Sequence, residues 1–334
     1  MSFDFDTELC AQCPYGLCFE DRRVNRVRGR ETEFRLRQHA ALNCTFSEFV
    51  PGSDNDPKPD RTYSAYLAQF RSNALSAGRR VHDTAFKVAP PALAKVEGDV
   101  FELLEAAALW NAAADWNRFM DEGLWPSQIF SCPPGAVATP LRKVAIVKLP
   151  RGYDATRLFK PEVRANIHAF EHALNLQQME LGLSSPDIIG VRLPHPLPPE
   201  LNLFLSPLAN LEGASLTQVE SAHRLLEDKI ESTGFLFAIA VKRTTRSDRL
   251  YQPLFEANIL KYLIEVVLRG PAFRFYAHLN SFEGANVEGH YKAASLISLA
   301  RGGTPTRAID SLYLAERPRD TAQTILNDLP LFPV

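Results

Sequence analysis

The chain has 334 residues, 46% of them hydrophobic, enough to bury one large core or two small ones. Lysine plus arginine number 37 against 39 aspartates and glutamates, a net charge of −2, which argues against a uniformly basic nucleic-acid coat protein. No run of about 18 apolar residues occurs, so a membrane-spanning helix is not expected.

The N-terminus, Met1-Ser2-Phe3-Asp4-Phe5-Asp6, lacks the basic-then-apolar order of a signal peptide, and a cytoplasmic protein is expected. Cys10, Cys13 and Cys18, with Cys44, are spaced unlike a zinc ribbon, and free thiols are the simpler reading. Arginines crowd the stretch from Arg22 to Arg37, where local fields rather than net charge govern phosphate contact. A short helix is expected over 31–43, then a loop rich in Pro, Asp and Gly from Val50 to Arg61.

Residues 92–121 read as a long amphipathic helix, with Phe101, Leu104 and Ala108 at helical spacing. Gly98 near its start predicts an irregular first turn or a close backbone contact. Ser131 to Gly135 is a turn, Lys143 to Leu149 a strand, and 160–180 a helix. Asp187 opens a second strand, Ile188 to Leu193. A proline-rich loop, Pro194 to Pro199, leads toward a helix over Leu216 to Ser232. Phe235 to Val241 is strongly strand-like and ends on Lys242. A helix follows over Leu254 to Leu268, stopped by Gly270-Pro271, then a strand over Phe273 to Leu279, and two or three helices finish the chain. Strands interleaved with helices predict an α/β fold, a central mixed sheet flanked by helices.

Glu256 shares a helix face with Leu260, Leu263 and Val267, a face that should pack on the sheet. A carboxylate there costs several kcal/mol unless it is paired or binds metal. Asp187 opens one short strand and Lys242 ends another, so neighbouring strands would bring carboxylate and ammonium to one edge. Asp187 and Glu256 are hard oxygen donors suited to Mg²⁺. Lys242 can orient or help deprotonate a water and offset phosphate charge. Together they suit metal-assisted phosphodiester hydrolysis. Pro59-Asp60 repeats the Pro-Asp pattern, but no apolar strand follows it.

Arginine pairs with guanine O6 and N7, and aspartate accepts from cytosine N4. Arg246, Asp248 and Arg249 therefore suit G·C pairs in the major groove, with Gln252 as a helper. The competing reading is a surface salt-bridge segment in which Ser247 or Asp248 caps the helix carrying Glu256.

The run Val241-Lys242-Arg243-Thr244-Thr245-Arg246-Ser247-Asp248-Arg249 with Glu256 resembles the signature of type II restriction endonucleases that recognise CCGG cores, the SgrAI-like enzymes of the PD-(D/E)XK nuclease superfamily. Lys95 to Glu102, Ser185-Pro186-Asp187-Ile188 and, more weakly, Val27 to Arg30 extend the likeness. The resemblance implies a restriction-endonuclease-like fold, Mg²⁺ dependence, and a homodimer or higher homo-oligomer on a palindromic double-stranded DNA site. It implies that Asp187, Lys242, Glu256 and Glu102 are catalytic, with Asp187, Glu256, Glu102 and the Val241 carbonyl as metal ligands. It assigns DNA binding to Arg246, Ser247, Asp248 and Arg249, and outer-base or indirect readout to Lys95 and Arg30. A cognate DNA methyltransferase would protect the host. One domain is expected over 1–334, with 1–90 an N-terminal arm and DNA-contacting region and 91–334 the catalytic core. A structure-specific nuclease of the same fold and a noncatalytic DNA-binding protein are the alternatives.

Overall fold

The most apolar stretches of the sequence lie at the centre of the structure, a computed structural model that describes residues 19–26, 29–82, 86, 88–182, 185–243, 247–279, 291–301, 305–313 and 315–333. In chain order these form β1 (Phe19–Arg26), β2 (Gly29–Leu36), α1 (Gln38–Phe46), α2 (Tyr63–His82), α3 (Pro90–Glu122), β3 (Val144–Lys148), α4 (Pro161–Asn175), β4 (Ile188–Arg192), α5 (Gly213–Ser221), β5 (Phe235–Lys242), α6 (Ser247–Lys261), β6 (Arg274–Leu279), α7 (Leu296–Arg301), β7 (Ser311–Tyr313) and α8 (Pro318–Asp328). No helix among the described residues is long and apolar enough to cross a membrane.

Strands β3 to β7 make one five-stranded sheet in sequence order. The β3–β4 and β4–β5 pairs are antiparallel, and β5–β6 and β6–β7 are parallel. The expected mixed sheet flanked by helices is therefore present. β5 is its middle strand, with every residue buried from Phe235 to Val241. An unbroken apolar run suits a strand covered on both faces. β4 lies close enough to β5 that a Cβ on Gly190 would stand 2.2 Å from the Phe237 ring, so only glycine fits there.

Helix α3 is the main support of the sheet. Pro90 and Pro91 open it, and Gly123, at φ 71°, closes it in the left-handed conformation. The amphipathic expectation fails along its middle: residues 103–114 are buried all round, because the sheet, α8 and α2 all pack on it. Asn117 pins it to the sheet, donating to the carbonyls of Val144 (2.7 Å) and Phe204 (2.9 Å) and accepting from Val144 N–H (2.7 Å). Gly98 lies within the regular helix, and a Cβ there would meet nothing within 4 Å, so no close approach explains it.

A second tie joins α3 to β6. His278 places Nδ1 2.5 Å from Glu105 Oε2 and Nε2 3.1 Å from the Ala315 carbonyl. Both contacts are to oxygens, and a ring with a proton on each nitrogen donates to both. Burial works to lower the His278 pKa, but Glu105 outweighs it and holds the ring above its ordinary value.

The helix expected over 31–43 is instead the end of β2 followed by α1. Its arginines and glutamates favour helix, but hairpin pairing from Arg26↔Gly29 to Phe19↔Leu36 overrides that preference. The helix expected to Ser232 stops at Ser221 and continues as a 3₁₀ turn over Ala222–Leu226. The helix expected from Leu254 starts at Ser247 and ends in a π turn over Tyr262–Val267.

Candidate active site

The antiparallel β4–β5 pairing decides where the chemistry can sit. Ile188 at the start of β4 faces Ile239 near the end of β5, so Asp187 and Lys242 share one end of the sheet. Asp187 Oδ2 accepts from the Lys242 ammonium (2.7 Å) and from Val241 N–H (2.7 Å). The Asp187 carbonyl accepts from Leu149 N–H (2.9 Å), which fixes the backbone that carries it. Both side chains are largely buried.

β3 brings another lysine to the same end. Lys148 pairs with Ile188 in register, and its ammonium lies 3.4 Å from Glu102 Oε2 on α3. Burial pushes the Glu102 carboxyl up to about 7, the nearby charge of Asp187 adds to the rise, and Lys148 and Lys242 oppose it. Lys242 is governed by the same cluster. Burial works to lower its pKa, but Asp187, Glu256 and Glu102 outweigh it and leave it raised. Lys242 is therefore a cation at neutral pH.

Glu256 is 1% exposed on α6 and accepts from Gln252 Nε2 at 2.7 Å. Its charge acts on Lys242 and, after burial, is a further cause raising the Tyr291 hydroxyl to about 12. Gln252 is thus placed against Glu256, one helical turn away. Lys95 is exposed on α3. The side chains of Arg30, Ser247, Asp248 and Arg249, like Arg246 and Cys10, Cys13 and Cys18, lie outside the described residues.

The donor set suits a hard divalent cation. Both carboxylates are largely buried, and after burial the charge of Asp187 raises the Glu102 carboxyl, so a cation beside them would favour its ionised form. Among the described residues no three His, Cys, Asp or Glu side chains lie close enough to hold a metal by themselves, so Asp187, Glu102 and Glu256 do not form one ligand cluster. Mg²⁺ commonly takes only one or two protein carboxylates and fills its octahedron with water and substrate phosphate. Asp187 and Glu102 are two carboxylates whose charges act on one another, which is that number of protein ligands.

Lys148 was not singled out from the sequence. The signal was there: like Lys242, it ends an apolar strand, and antiparallel neighbours place such an end beside the start of β4.

A family model described as the Cfr10I/Bse634I restriction endonuclease matches residues 58–329. The chain belongs to the Cfr10I/Bse634I restriction endonuclease family. It is accordingly a type II restriction endonuclease, and the match spans every element of the sheet. Two solved structures are similar in fold. The Type IIF restriction endonuclease Bse634I with cognate DNA has a TM-score of 0.73 and 18% identity, covering 93% of this chain and 97% of that one. A second structure of Bse634I restriction endonuclease has a TM-score of 0.72 and 18% identity, covering 92% and 96%. No curated protein matches the chain in sequence.

Proposed function

We propose that this Cfr10I/Bse634I-family enzyme hydrolyses both strands of a palindrome containing CCGG, with Mg²⁺, leaving 5′-phosphates and 5′ overhangs. The observation that carries this reading is the Asp187–Lys242 contact at one end of the sheet, 2.7 Å long. Lys242 lies only four residues before Arg246 and seven before Arg249, so cutting and base-reading groups follow one another along the chain. The presence of cognate DNA in the related Bse634I structure supports double-stranded DNA as the partner here.

In this reading Asp187 and Glu102 would hold the metal, with the Val241 carbonyl beside them, while Glu256 acts through Lys242. When bound, the metal supplies Lewis-acid stabilisation of the phosphate and lowers the pKa of a water. The raised pKa of Lys242 gives it a different task from a general base. Held by Asp187, its ammonium orients the attacking water and offsets charge that grows on the phosphate. The water oxygen bonds to phosphorus as the P–O3′ bond breaks; the water gives up one proton to bulk solvent, and the departing 3′ oxygen takes up one proton from bulk solvent, so the step balances. Glu256 keeps Lys242 charged from the α6 side. Arg246 and Arg249 each read a core guanine and Asp248 a cytosine. Two-fold pairing of subunits would match the palindrome, and a methyltransferase of the same specificity would protect the host.

Lys242→Ala tests the division of labour. Cleavage should fall by at least 10³-fold, while site-specific binding, measured by gel shift with Ca²⁺, should persist. Loss of specific binding together with cleavage would contradict the assignment.

A further inference from the structure

Glu97 on α3 is 2% exposed, yet it is a carboxylate. Two arginines from different elements hold it. Arg71 of α2 places Nε and Nη2 on Glu97 Oε1, and Arg243 places Nη1 on Oε2. A carboxylate this deeply buried needs a cation, but one arginine would meet that need. The second comes from the residue directly after Lys242 and three positions before Arg246. The Arg243 guanidinium is therefore turned inward onto α3, five residues from Glu102 along that helix.

We propose that Glu97 is a positioning residue for base recognition: it clamps the chain at Arg243, which in sequence lies between the cutting Lys242 and the proposed reading residues Arg246, Asp248 and Arg249. Bidentate contacts to base edges tolerate only about 0.5 Å of displacement. A loosened clamp therefore costs discrimination before it costs binding to phosphate, which is tolerant and sequence-independent. The inference rests on the reading that residues 246–249 contact the core bases.

The test compares kcat/KM of the full chain with Mg²⁺ on a duplex carrying its site and on duplexes with one core pair changed. Glu97→Gln and Arg243→Gln should each lower the ratio between site and altered site by ten-fold or more. Arg71→Gln, which leaves the Arg243–Glu97 pair, should lower it less than three-fold. Thermal melting checks that each variant is folded, and Arg243→Gln, at the half-buried end of the pair, serves if Glu97→Gln is not. Equal rate losses on every duplex, or lower melting temperatures with an unchanged ratio, would overturn the proposal. Arg249→Gln in the parent separates the two levels. If it relaxes discrimination while Glu97→Gln and Arg243→Gln do not, only the clamp falls. If Arg249→Gln leaves discrimination intact, the reader is elsewhere and the clamp falls with it.

Discussion

Glu102 shows how much a single position can reveal about this site. Burial, then Asp187, raise its carboxyl from the ordinary range to about 7. A group whose folded pKa lies above its unfolded value contributes stability that is complete below the unfolded value, and loses it as pH rises through the folded one. Metal-free protein should therefore melt lower at pH 8 than at pH 6, and Glu102→Gln should shrink that difference. Metal binding needs the ionised carboxylate and releases its proton, so divalent affinity should rise with pH through about 7. Isothermal titration with Mn²⁺ at pH 6 and pH 8 checks the sign. Lys148 opposes the shift from 3.4 Å away. Lys148→Gln should move the pH–rate profile to higher pH, because a lost cation disfavours the ionised carboxylate. A profile that does not move would separate Lys148 from the chemistry.

At the scale of elements, α3 matters because it joins the site to the core through polar ties as well as apolar packing. His278→Phe would leave Glu105 buried without its cation and should cost about 3–5 kcal/mol of stability, measured by denaturant unfolding. Asn117→Leu would strip partners from the Val144 N–H and carbonyl and should cost about 2–4 kcal/mol. A cost under about 0.5 kcal/mol in either case would mean that water replaces the lost contacts. The same elements show what a sequence can and cannot disclose. Phe235 to Lys242 was legible because seven apolar residues in a row can only be a covered strand or a buried helix, and their length and β-branching favour the strand. The Glu256 face was legible because helical spacing puts it beside Leu260 and Leu263. The order of the strands was not legible, since antiparallel β4–β5 and parallel β5–β6 pairings leave the same local patterns. Lys148 went unread for that reason. Strand β7, three residues long, is too short for its periodicity to register.

Across the whole molecule, the matched family region, residues 58–329, contains the five-stranded sheet together with Lys148 and Lys242. Identity of 18% to Bse634I carries the fold and leaves the bases read to this chain's own residues. Specific binding should weaken with added salt in proportion to the phosphates contacted. In the proposed function one scaffold cuts and reads at adjoining positions along the chain. Incubating the purified protein with several plasmids and Mg²⁺, then sequencing the ends, tests it most directly. Discrete fragments are expected, with ends that carry 5′-phosphates and four-base 5′ overhangs and all map to one palindrome that contains CCGG. Smeared products, cuts that follow DNA structure rather than sequence, or ends mapping to a site without CCGG would contradict it.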